Sequence, residues 1–387
     1  MKETRLFQGI VAAFLSLGLL LAAMDWFLVQ MGEIDIGNVV DRQFAAPQGA
    51  VLFSSGINQH AYQYKMRLLD RIHPSIVAIG SSRAMQVRGK FFNRSFVNLG
   101  GAVNDVAEFE LAARDVASVK PELALVFVDP WWFNSHYSGN AATATIPTYP
   151  RVISADLIFR SAASMRHAES FTSFWNSPNL GIFAKLVDEG FERDGSYNYL
   201  GTISGAHPTL DWRFHDTLER IRTHTNRFEE ADAPDPSYVR RMCAAVAVLR
   251  GGARHVVLIA PPLSSPAWRG FAQGRYGYVS AAYGQLQQCA AGSPFFNVID
   301  PGSLPGSTDC EFVDGFHGGD VTYARILRKV SNSDSVVERL TDKRFLDSFI
   351  DRYSGMAGGM TLIEHPRAKE IDFLGLGCAK KPLSPSR

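Results

Sequence analysis

Two short stretches of this sequence carry residues able to do covalent chemistry together. The first is Gly80-Ser81-Ser82-Arg83, which follows the apolar run Ile76 to Ile79. The second is Asp314-Gly315-Phe316-His317, which follows the apolar run Phe296 to Ile299. A serine hydroxyl is a poor nucleophile until a base takes its proton. A histidine serves as that base when a carboxylate fixes its tautomer and orientation. Aspartate and histidine separated by two residues on one turn can reach each other, which leaves the far imidazole nitrogen free for a serine. Ser82, His317 and Asp314 are therefore the candidate nucleophile, base and orienting group, and Gly80 gives the backbone room to present the hydroxyl.

These residues must be positioned by a common scaffold. Short apolar runs bounded by turn residues read as buried strands at Ile76–Ile79, Phe96–Leu99, Leu123–Val128, His255–Ile259 and Phe296–Ile299. Helical periodicity covers Asn58–Asp70, Asp105–Val119, Ser237–Leu249, Tyr278–Cys289 and Asp320–Val330. Strands alternating with helices predict an α/β domain with a parallel sheet covered on both faces. Ligands of such sheets bind at the carboxyl ends of the strands, which is where both Ser82 and His317 fall. Residues 51–133 and 236–330 make this domain. Residues 134–235 are too many for an ordinary crossover and are rich in aromatics, so they read as an inserted cap or subdomain. Residues 331–387 read as a C-terminal extension with one helix, Lys343–Tyr353, and an irregular Gly-rich tail.

The chain has 387 residues, 46% of them hydrophobic, and a formal net charge of +1. That charge gives no basis for nucleic-acid binding. Leu6 to Met24 is uncharged and mostly apolar, long enough to cross a bilayer core of about 30 Å; residues 6–28 are taken as the span and 32–50 as a linker. Lys2 and Arg5 precede the run and Asp25, Glu33, Asp35 and Asp41 follow it, so the expectation is a single-pass anchor in the cytoplasmic membrane with the large domain outside. A cleaved signal peptide and a buried core helix are the alternatives, and Ala22-Ala23-Met24 is a poor cleavage site. Cys243, Cys289, Cys310 and Cys378 include no C-x-x-C pair, which removes the usual zinc and thioredoxin-type sites. Whether they pair as disulfides or stay free is open from sequence.

No G-x-S-x-G elbow, H-E-x-x-H, P-loop or G-x-G-x-x-G motif occurs. The order Gly80-x-Ser82, then Asn98-x-Gly100, then Asp314-x-x-His317 resembles the SGNH (GDSL-like) hydrolase superfamily, over roughly residues 72–135 and 250–330. The resemblance implies a flavodoxin-like three-layer parallel sheet, and an oxyanion hole built from the backbone N–H groups of Ser82 and of Gly100 or Gly101. The sequence departs from the family in three places: Ser81 replaces its aspartate, Val103 a glycine, and Asp129-Pro130-Trp131-Trp132 its third block. The asparagine donor of that block is thereby lost, and Asn104 and Asn134 are the candidate substitutes. The N-terminal anchor, Gly-Ser-Ser-Arg and Asp-Pro-Trp-Trp are similar to the extracytoplasmic branch that assists alginate O-acetylation and, in DltD-like proteins, teichoic-acid D-alanylation.

Three further residues are candidate substrate contacts. Trp131 and Trp132 offer flat apolar faces for a sugar ring, or else are core residues. Arg83 would hold an anionic sugar or phosphate, or pair with an acidic neighbour. The function expected is acyl transfer, most simply of acetyl, to a cell-envelope or secreted polysaccharide through an acyl-serine. The alternatives are a carbohydrate esterase or a non-catalytic partner of a membrane-bound O-acyltransferase. The expected partners are a glycan, the lipid bilayer and such an acyltransferase, with no metal or dissociable cofactor.

Overall fold

The computed structural model describes residues 2–380 except 48, 58–60, 167–170, 210 and 291. The chain divides into two compact units, Met1–Gln59 with Pro147–Arg193, and His60–Ile146 with Asp194–Arg387.

The first unit begins with a helix, Lys2–Met31. Its stretch Arg5–Met31 is 27 residues long and contains an 18-residue window of mean hydropathy 2.2, long and apolar enough to cross a membrane. Leu6, Phe14 and Leu19 are 67, 71 and 74% exposed, so the helix is not a buried core helix. Among its described residues the packing is at the C-terminal end, with Leu28 against Ile34, Ile57 and Leu157, and Met31 against Phe174 and Ile182. The stretch expected to be a linker contains a helix, Ile36–Ala45, started by Asp35, whose carboxylate accepts from the N–H groups of Gly37 and Asn38. Its apolar face is only Ile36, Val39 and Val40, too short to stand out amid mixed charge.

The second unit holds a parallel sheet of five strands: β1 (Ile76–Gly80), β2 (Phe96–Gly100), β3 (Leu123–Phe127), β4 (His255–Ala260) and β5 (Phe295–Asn297), in the order β2-β1-β3-β4-β5. Every residue of β1, β2 and β3 is buried, as a sheet covered on both faces requires. Alternate residues sort to opposite faces. Ile76, Ala78, Leu123, Leu125, Phe127, Val257 and Ile259 pack with helix Asp320–Ser331 and its neighbours. The opposite face carries helices Val106–Val119 and Pro236–Gly252, which lie along each other and are tied by Arg241 to Glu110. Both helices start on side-chain caps, Asp105 to the Glu108 N–H and Asp235 to the Ser237 N–H. Helix Tyr62–Ile72 starts later than the residue 58 expected, and residues 58–60 lie outside the described residues.

Two expectations change. Residues 134–235 are not one cap: 147–193 belong to the first unit and 194–235 to the second. The C-terminal extension has no regular element among the described residues after helix Gly359–Glu364, as expected of an irregular tail, yet it packs on the sheet instead of standing apart. Helix Lys343–Tyr353 forms as expected, but Val337, Leu340, Phe349, Met360, Leu362, Phe373 and Leu374 join the sheet's own core. The cysteines pair as Cys243–Cys289 and Cys310–Cys378. The second bridge closes a loop of 68 residues. On loop entropy alone such a crosslink is worth about 4 kcal/mol.

Candidate active site

Strand β1 ends at Gly80, where nothing larger fits: a Cβ there would come within 2.8 Å of the Phe127 carbonyl oxygen on β3. The chain then turns into a short 3-10 segment, Ser82–Ala84, capped by Ser81, whose hydroxyl accepts from the Arg83 N–H at 3.2 Å. Ser81 is therefore a capping residue. Ser82 is half-buried and faces the base.

The base comes from a tight hairpin. Phe312 and Gly318 pair, and the Val313 N–H donates to the His317 carbonyl at 2.8 Å, so Asp314–Phe316 form its tip. Asp314 organises that tip. Its Oδ1 accepts from the N–H groups of Phe316 and His317 at 2.9 and 2.7 Å, and its Oδ2 meets His317 Nδ1 at 2.6 Å. His317 Nε2 stands 2.7 Å from Ser82 Oγ. Burial disfavours the Asp314 carboxylate, but the imidazole and the two N–H donors outweigh it and hold its pKa below the ordinary 3.8. Asp314 thus stays charged throughout the neutral range, and its Oδ2 is the acceptor that keeps the proton on Nδ1 and the lone pair on Nε2. With side chains 15 and 22% exposed, His317 and Asp314 open to solvent at the carboxyl edge of the sheet.

The hairpin is braced from 194–235. Asp211 Oδ2 accepts from the Gly315 N–H at 2.8 Å and from the Thr217 hydroxyl at 2.6 Å. Gly315 must be glycine here, since a Cβ would meet the Thr217 side chain at 2.5 Å. On the other side the Ser264 N–H donates to the Gly315 carbonyl at 3.0 Å.

Arg83 does not reach substrate. It is 1% exposed, and its guanidinium is committed to protein: Nε to the Phe316 carbonyl at 2.9 Å, Nη1 to Asp129 at 2.9 Å, and Nη2 to the carbonyls of Pro261 and Pro262 at 2.7 and 2.8 Å. These partners lie after β3, after β4 and on the histidine hairpin, so one side chain joins four loops at the sheet edge. Trp131 and Trp132 are 1 and 0% exposed and offer no face to a sugar. Trp132 packs on Phe109, and Trp131 lies edge-on to Phe228 and Phe316. They stand at the expected edge, but facing inward, as packing under the loops.

Of the groups expected to donate to an oxyanion, one remains without a hydrogen-bond partner among the described residues. The Gly100 N–H donates to Asn98 Oδ1 at 2.6 Å and the Gly101 N–H to the Gly80 carbonyl at 3.1 Å. Asn104 is bound to Glu108, and the Asn134 amide to the Glu229 carbonyl. The Ser82 N–H makes no hydrogen bond among the described residues. Arg227, which the sequence alone does not single out, stands over the rings of Trp131 and Phe316 at 5.8 and 5.7 Å; an arginine beside a phenylalanine in an aromatic-rich segment is its sole local mark.

Comparison with known protein families, with curated proteins and with solved structures gives no match to this chain. What the geometry supports chemically is activation of one serine hydroxyl by a carboxylate-oriented imidazole. Among the described residues, no group of histidines, cysteines and carboxylates is arranged to hold a metal ion.

Proposed function

We propose that this chain is a serine-dependent acyl-transfer enzyme of the SGNH hydrolase type that modifies hydroxyl groups of a cell-envelope or secreted polysaccharide. The observation that carries the proposal is the continuous relay from Ser82 Oγ to His317 Nε2 at 2.7 Å and from Nδ1 to Asp314 at 2.6 Å. The strand order β2-β1-β3-β4-β5 supports it, since this is the order of flavodoxin-like sheets. Ser82 attacks the acyl carbonyl and its proton passes to His317 Nε2. The leaving group takes that proton as the acyl–oxygen bond breaks. A sugar hydroxyl then attacks the acyl-serine, gives its proton to His317, and departs as the ester while Ser82 recovers the proton.

Lys2 and Arg5 before the uncharged run Leu6–Met24 favour a membrane-anchored enzyme with the catalytic unit on the extracytoplasmic side. Two disulfides fit that compartment. A membrane-bound O-acyltransferase would be the natural acyl donor there. The commitment of the Gly100 and Gly101 amides favours a slow reaction with simple esters, because one lost oxyanion donor costs roughly a hundredfold or more in rate. Hydrolysis to the free acid is the second reading on the same ground.

The test is to incubate the detergent-solubilised chain with p-nitrophenyl acetate, with and without oligosaccharides, and to weigh the products. Acetylated oligosaccharide formed by the wild type and abolished in Ser82→Ala is expected. Turnover that yields acetate alone would replace transferase by esterase. No turnover and no acyl-enzyme with any donor would leave a non-catalytic partner.

A further inference from the structure

Helix His215–Thr223 is followed by a loop in which His224, Asn226 and Arg227 all adopt left-handed backbone, with φ of 54, 51 and 85°. Non-glycine residues rarely hold that conformation, and several together are found where a site demands them. The Arg227 N–H is fixed by the Glu229 carboxylate at 3.0 Å. Its guanidinium is different: among the described residues it has no carboxylate or carbonyl partner. The neighbouring arginines are satisfied, Arg220 by Asp216 and Arg222 by Glu219.

Arg227 is half-buried and held instead by aromatic faces, 5.8 Å from the Trp131 centroid and 5.7 Å from that of Phe316. The Phe316 ring in turn packs on the His317 imidazole at 4.1 Å. Ring contact fixes the position of a guanidinium without using its N–H donors. An oriented cation one ring away from the base, with its donors unspent, is what a site for an anionic group needs.

We propose that Arg227 reads a negative charge on the substrate beside the triad, a sugar carboxylate on the acceptor or a phosphate on the acyl donor. The proposal rests on the acyl-transfer reading for what the bound group does there, but not for whether it binds. It assigns to Arg227 the anion-holding role that Arg83, buried and paired, does not fill.

Binding separates the two. Full-length Ser82→Ala in detergent is titrated calorimetrically with tetragalacturonate, with neutral maltotetraose and with acetyl phosphate. Arg227→Ala added to Ser82→Ala should weaken tetragalacturonate or acetyl phosphate at least tenfold while changing maltotetraose less than twofold. The arm that responds tells acceptor from donor. Arg222→Ala, which removes the same charge from an exposed ion pair, should weaken neither. Equal losses in Arg222→Ala and Arg227→Ala, or no preference for either anionic ligand over maltotetraose, would overturn the proposal. Because no turnover is needed, failure of catalysis and failure of anion recognition give separate results.

Discussion

At the scale of the residue, Asp314 makes the sharpest prediction. Its Oδ1 is already engaged by two backbone N–H groups, so only the second position of the side chain faces the imidazole. Asp314→Asn would keep Oδ1 in that role and turn an NH2 donor towards His317 Nδ1. The imidazole would then carry its proton on Nε2 and could no longer accept one from Ser82. The expected fall in kcat is about 10³–10⁴-fold with the fold intact, measured as ester turnover alongside circular dichroism; a loss under tenfold would mean that the carboxylate does not set the tautomer. The pKa of Asp314 is lowered on folding, so its share of stability is complete above 3.8, the ordinary value, and is lost as pH falls through the folded value. The triad was legible in the sequence because the Asp-x-x-His contact is local and the serine follows a strand that punctuation by Gly80 marks. The oxyanion amides were not: the Gly100 N–H is taken by a side chain two residues earlier on β2, which no motif records. The roles of Arg83 and of both tryptophans depend on partners scattered between residues 109 and 316, so only the folded structure decides whether they face substrate or core.

At the scale of the element, the site is a set of loops gathered at one sheet edge. The strands and most helices follow from buried apolar runs, helical periodicity and caps, which are sequence-local. How the loops are held together is not. Arg83 joins four of them, and its ion pair with Asp129 is buried at 1 and 0% side-chain exposure. Removing one member of such a pair leaves the other charge stranded. Arg83→Met is expected to destabilise the protein by about 3–5 kcal/mol in urea unfolding. Adding Asp129→Asn should recover part of that loss, because the stranded charge goes with it. A double variant as unstable as the sum of both single ones would show that the ion pair is not the coupling element. The Asp211–Thr217–Gly315 brace explains why part of the segment read as an insertion is needed by the site: it supports the hairpin that carries His317.

At the scale of the whole chain, an apolar helix and an α/β unit were both legible, one from an uncharged run and the other from alternation of strand and helix. The division of labour within residues 134–235 and the absorption of the C-terminal stretch into the core were not, since both arise from long-range packing and the second also from the Cys310–Cys378 bridge. Everything proposed for the function converges on a covalent acyl group on one hydroxyl of 387 residues. The direct measurement is intact-protein mass spectrometry of the detergent-solubilised chain after rapid acid quench from p-nitrophenyl acetate, followed by peptide mapping. The account predicts a single added acetyl group on Ser82, absent in Ser82→Ala, present in Ser81→Ala, and discharged faster when an oligosaccharide acceptor is supplied. An acetyl group that maps to Ser81 or to scattered lysines, or a Ser82→Ala chain that acquires it equally well, would contradict the account.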